Sequence, residues 1–233
     1  MTRHELKEQL QHDRFTDTVS EVVTYASSHR QELIRWVIIG VVVAVLAGGA
    51  FWYMSYTNSV RDQDLANAFT LADRPVGPAG PGVTTFPTQA AKDAALMKAF
   101  SSVASKDPGS KQGLTAEYYV GTLKAKTGDV KGAEAALSPV ADSNIQVASL
   151  AKIALAELYA GDNKMSQATS LLRSLIDKPS DLVSKAQAEI LLARIEEKTN
   201  PKQAQKLLTT VQTQSKDPTV DRVAQQVAAQ MSK

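Results

Sequence analysis

The sequence contains no cysteine. A disulfide framework, a thiol nucleophile and a cysteine-ligated metal are therefore excluded, and the chain suits an oxidising compartment. Histidine is almost as scarce. The three present, His4, His12 and His29, all precede an apolar run that begins at Trp36. Everything after that run lacks both His and Cys. It cannot assemble a Ser-His-Asp triad, a Cys-His pair or a histidine-ligated zinc. Carboxylates remain, but they are scattered over polar helix faces. No enzyme, cofactor or metal site is expected.

A strong charge of one sign is missing too. The net charge is +2, and residues 61–233 hold 21 Lys/Arg against 18 Asp/Glu with no basic block. Nucleic acid is not an expected partner, and no cluster suggests a small-molecule substrate. From Asn58 onward no run alternates apolar with polar residues, which removes the usual strand signal. The stretch is rich in Ala, Leu, Lys, Gln and Glu, which are good helix formers. An all-α fold is expected.

What is present is first a long apolar run. Trp36 to Val60 carries no charge, and its core, Trp36 to Met54, is 19 residues long. As a helix that core spans roughly 28 Å, close to the hydrocarbon thickness of a bilayer. The protein's two tryptophans, Trp36 and Trp52, stand at its two ends, the second beside Tyr53 and Tyr56. Those are interfacial belt positions. Ala50 closes an "LAGGA" stretch with the small residues of a signal-peptidase site, but about 35 residues precede the core, too many for a cleaved leader. An uncleaved signal anchor is the reading. Arg14, Arg30 and Arg35 precede it and Arg61 and Arg74 follow. That bias places the N-terminus inside and the large C-terminal part outside. Gly40, Ala44 and Gly48 share one helix face, where small residues let another membrane helix approach closely.

The second feature is repetition. Ala133, Leu137 and Val140 recur as Ala168, Leu172 and Leu175, then as Ala204, Leu208 and Val211; the alanines are 35 and 36 residues apart. Leu96, Phe100 and Val103 form an earlier copy, with Pro108 five residues on. Val120-Gly121, Leu155-Ala156 and Leu192-Ala193 precede the recurring alanine by eleven or twelve residues and offer small residues where paired helices meet. Turn residues separate the copies: "TGD" at 127–129, "GDN" at 161–163, and Asn200-Pro201 and Asp217-Pro218 as N-cap and first-turn proline. A period of this length signals stacked helical pairs.

This pattern resembles the tetratricopeptide repeat in degenerate form. Glu117 and Lys152 stand where a first-helix aromatic belongs, while Tyr159 keeps the later one. An α-solenoid is implied, with first helices at about 112–127, 146–160 and 182–197 lining a concave face. Repeat position then puts Tyr118, Thr122, Lys126, Ile153 and Glu157 on the groove. A helix at about 59–73 and one at about 89–105 would form the first pair, interrupted by a flexible Pro/Gly-rich loop at 74–86. The last helix, from Pro218, would turn Val220, Val223 and Val227 inward as a cap.

Ahead of the anchor, "RFTDTVSEVVTYASSHR" at 14–30 has helical apolar spacing. With the single membrane helix and the repeats, the arrangement is similar to the bacterial tetratricopeptide-repeat-like inner-membrane family that includes the ancillary subunit of the Sec translocon. The resemblance implies a cytoplasmic tail with a short amphipathic helix (1–33), a transmembrane helix (34–56) and a periplasmic interaction domain (57–233). Its implied partners are the SecYEG channel, periplasmic chaperones and exported proteins. An envelope scaffold that recruits other membrane or cell-division components is the alternative the sequence leaves open.

The topology has a direct test. Edman sequencing of the membrane-bound protein should not find a mature N-terminus at Phe51. Protease added to spheroplasts should digest residues after 57 and spare the tail; the reverse pattern would invert the orientation.

Overall fold

A computed structural model describes residues 30–78, 82, 84–215 and 217–231. The pre-anchor helix expected within 14–29 lies outside the described residues. The described residues form nine helices and no strand. They are α1 (Arg30–Ala72), α2 (Gln89–Lys106), α3 (Lys111–Lys126), α4 (Val130–Ala141), α5 (Ala148–Gly161), α6 (Met165–Asp177), α7 (Lys185–Glu196), α8 (Pro201–Gln214) and α9 (Pro218–Met231). By internal contacts the chain divides into two units at Ser59/Val60.

The described part of the first unit is the beginning of α1. Its large apolar side chains, from Ile34 to Tyr56, are all exposed; Trp36 is 71% and Phe51 77% accessible. A helix that is apolar and exposed on every side among the described residues needs lipid or another protein around it. One N-terminal helix is thus long and apolar enough to cross a membrane. At its far end Trp52 and Tyr56 stack at 6.0 Å. The hydroxyls of Thr57 and Ser59 donate back to the carbonyls of Tyr53 and Ser55, each at 3.0 Å, so the first polar turn satisfies itself locally.

The second unit is an α-solenoid of helical pairs. Each second helix carries the recurring triplet, and each triplet is core. Ala133, Ala168 and Ala204 are all 0% exposed; Leu137, Leu172 and Leu208 are at most 1%. Val140, Leu175 and Val211 are buried in the same way. On the first helices Ala116, Ala151 and Ala188 are fully buried at one matching position, and Val120, Leu155 and Leu192 at another. Between α3 and α4, a Cβ placed on Gly121 would fall 2.6 Å from Leu137 Cγ, so a side chain there would force Leu137 to shift.

Side-chain caps fix where several helices begin. Thr88, Ser110, Asp129 and Ser184 each accept a hydrogen bond from a backbone N–H three residues on, starting α2, α3, α4 and α7. Ser110 starts α3 against the preceding turn so closely that a side chain on Gly113 would collide with the Asp107 carbonyl. Asp217 Oδ1 accepts from Thr219 N at 2.8 Å ahead of Pro218, as the Asp-Pro pair suggested. Asn200 holds the N-cap position before Pro201 but makes no side-chain cap bond; the proline alone sets that start.

The last turns of α1, from Val60, act as the first helix of the first pair. Arg61 pairs with Asp107 at 2.8 Å, and Lys106 with Asp64. Phe69 meets Phe100 edge-on at 5.5 Å and Tyr119 at 5.1 Å, and Phe100 stacks on Tyr119 at 4.7 Å. Three helices are thereby joined by one aromatic cluster. The loop between α1 and α2 is tied at its base. Gly77 N donates to Phe86 O and Phe86 N to Pro75 O, both at 2.9 Å, and Lys92 Nζ caps the Arg74 carbonyl at 2.7 Å.

The cap helix departs from the sequence expectation at Val223. In α9, Ala224 and Val227 are buried, but Val223 is 42% exposed. Among the described residues α9 packs on α7 and α8, which leaves one edge of its apolar stripe uncovered. The contrast is testable by denaturant unfolding of the full chain in detergent. Phe100→Ala should cost about 3–5 kcal/mol, whereas Val223→Ala should stay within about 0.5 kcal/mol.

A candidate concave docking face

Among the described elements, α3 touches α5, α5 touches α7 and α7 touches α9, while α4, α6 and α8 do not touch one another. First helices therefore crowd together on the inner wall and second helices splay on the outer one, which makes the first-helix side concave. Two clefts open between inner helices. The first, about 490 Å³, is lined by Thr122 and Ala125 of α3, Val130 of α4, and Ala154, Glu157 and Leu158 of α5. The second, about 370 Å³, is lined by Gln187, Ile190, Leu191 and Arg194 of α7 with Val220 and Val223 of α9.

The residues expected on the groove separate into groups. Thr122 and Glu157 line the first cleft together. Tyr118 stands one helical turn before Thr122, half-buried on the core around Leu137 and edge-on to Tyr119 at 5.1 Å. Burial, with Tyr119 and Glu157 nearby, holds its phenol above the ordinary tyrosine pKa. Ile153 is half-buried against the cluster around Leu172 and Leu192, one seam further along. Lys126 points elsewhere: its ammonium pairs with Asp93 of α2 at 2.6 Å and ties α3 to its neighbour. That pair also holds the Asp93 carboxyl below its usual range. Gly40, Ala44 and Gly48 lie on α1 far from this face in sequence. Among the described residues, a Cβ on Gly40 or Gly48 would meet nothing within 4 Å.

Charges on the inner wall are sparsely paired. Glu157 and Arg194 are exposed and make no ion pair among the described residues. Burial raises the Glu117 carboxyl, with Lys124 opposing. At the cleft's end a polar clip closes the turn after α5. The Tyr159 hydroxyl donates to Glu134 at 3.0 Å, and Lys164 bridges Glu134 and Asp162 at 3.4 and 2.9 Å. This arrangement offers largely apolar recesses edged by charged side chains.

The family sequence model for a tetratricopeptide repeat-like domain matches residues 30–182. The chain belongs to that family. A tetratricopeptide repeat-like domain is a protein-interaction module, and protein partners follow from it. No curated protein and no solved structure matches the chain. The family match ends just before α7, so the second cleft lies beyond it. Sequence reasoning missed that cleft. Yet stepping 37 residues from Ile153 and Glu157, the offset between Ala156 and Ala193, lands on Ile190 and Arg194.

The buried phenols give a pH test. Tyr118 and Tyr159 both have pKa values raised above 10.0 in the fold, chiefly by burial. Stability linked to them is full below the unfolded-chain tyrosine pKa and is lost as pH rises from there through the raised folded-state pKa. Tyr118→Phe should change stability little at pH 8 and flatten its loss above about pH 10. An unchanged alkaline loss would place the phenol in solvent.

Proposed function

We propose that this chain is a bacterial inner-membrane protein that serves as an ancillary subunit of the SecYEG translocon. It holds newly exported polypeptides with periplasmic chaperones. In this reading residues 1–33 are cytoplasmic, 34–56 span the bilayer and 57–233 form the periplasmic array. The observation that carries it is the coupling, within one chain, of an exposed apolar helix to a tetratricopeptide repeat-like array whose inner wall has two open clefts. A module tethered beside its client's exit gains effective concentration, so modest affinity suffices. The likeness of residues 14–30 to the translocon-associated family supplies the choice of channel.

On the array, Tyr118, Thr122, Ile153 and Glu157 form the client surface, with Lys126 at its rim in its pair with Asp93. Within the bilayer, Gly40, Ala44 and Gly48 form the face that meets another membrane helix. Leucine at both glycines keeps the span apolar while blocking close approach.

The test is site-specific photo-crosslinking in living cells. A crosslinker at Thr122 should capture exported polypeptides or periplasmic chaperones, and one at Ala44 should capture a channel subunit. The Gly40→Leu/Gly48→Leu double variant should still insert and lose the second product. Capture of division or other envelope components in place of these would replace the translocon with a scaffold role. Survival of the Ala44 product in the double variant would leave that face to lipid alone.

A further inference from the structure

Val223 of α9 is 42% exposed at the cleft it shares with α7. Ile190, Leu191 and Val220 supply the rest of that cleft's large apolar lining. Its charged lining has a direction. Short turns at 197–200 and 215–217 join α8 to α7 and to α9, so both run antiparallel to α8 and parallel to each other. Asp217 therefore stands at the end where both helices begin, beside Ser184. Arg194 stands ten residues beyond Ser184, about 15 Å along α7. Arg194 and Asp217 are exposed and make no ion pair among the described residues.

Other charges nearby do not cancel this polarity. At about 100° per residue, Glu189 and Glu196 lie roughly 140° and 160° around α7 from Arg194. Both are buried there, pairing with Lys185 at 3.7 Å and with Arg173 at 3.4 Å. Asp221 and Arg222 of α9 are not part of the cleft's lining.

A groove with a carboxylate at one end, a guanidinium at the other and a valine between them is complementary to itself. Rotation about a two-fold axis through Val223 sets Arg194 against the partner's Asp217, and Asp217 against the partner's Arg194. The two Val223 side chains meet on the axis. A second copy supplies both charges in reverse order by symmetry alone. We propose that the cleft between α7 and α9 is a two-fold docking face for a second copy of this chain. The face is small beside the roughly 800 Å² per partner of a standard complex. Two chains anchored in one bilayer share a high effective concentration, which compensates. The inference thus rests on the anchoring by α1 proposed above. It does not use the cleft between α3 and α5, so copy and client occupy different places.

The absence of cysteine makes the test clean. Val223→Cys gives each full-length chain a single thiol, placed on the axis. Two differently tagged copies are co-expressed, and native membranes are oxidised with copper phenanthroline. Immunoblots should show a disulfide-linked product that carries both tags. Ser170→Cys, exposed on α6, reports random collision and should give at least about tenfold less product. Arg194→Gln or Asp217→Asn, added to Val223→Cys, should each cut the product about tenfold, because each removes both pairs at about threefold apiece. Asparagine keeps the α9 cap. The triple variant should lose no more than either, since the same two pairs are removed. Protease resistance of each variant checks its fold. No product, equal product from Ser170→Cys, or a product with a different protein alone would overturn the docking face. Charge variants without effect, or with losses that multiply, would overturn the pairing. Carbonate extraction of the same membranes reads the anchoring separately; release of the chain would overturn that reading and this inference with it.

Discussion

The seating of Leu137 against Gly121 fixes how closely α3 and α4 approach, and the array is built from repetitions of that contact. In the next pairs alanine replaces the glycine: Ala156 shares a cluster with Leu172, and Ala193 with Leu208, all buried. In these three pairs a small residue on the first helix shares a buried core with a leucine on the second. No single pair buries enough surface to stand alone, so each apolar face is completed by the next pair. The inner wall follows from this, because close pairing on one side brings successive first helices into contact and leaves second helices apart.

Much of this was legible in the sequence because the core is periodic. The triplets at Ala133, Ala168 and Ala204 mark buried positions by spacing alone, and the structure buries all of them. Caps such as Asp129 and Asp217 are equally local, since each acts within three residues. What the sequence hid was non-local or terminal. Lys126 has the repeat position of a groove residue, and its pair with Asp93, 33 residues upstream on a neighbouring helix, is a contact that repeat position alone does not specify. Val223 has the period of a core residue, but no described helix covers it. The loop base at Val76 and Phe86 rests on backbone bonds, which carry no side-chain signature.

Function follows from two departures from a uniform array. The first pair recruits the end of a helix whose earlier half is apolar on all sides, joined to the array through Phe69, Phe100 and Tyr119. The inner wall then varies where the core does not. At one repeat position it reads Thr122, Glu157 and Arg194, while the residues behind remain Val120, Leu155 and Leu192. A constant core with a variable inner face lets such a scaffold acquire a partner without altering its fold.

The central claim is that the size match between Gly121 and Leu137 sets the helix spacing, and a double-mutant cycle in denaturant tests it most directly. Gly121→Ala in the unmodified chain should be destabilising by about 1 kcal/mol, the overpacking cost exceeding the gain in helix propensity. In a Leu137→Ala background, where the cavity admits the extra methyl, the same change should be neutral or stabilising. An equal cost in both backgrounds would show that this contact does not govern the packing of the array.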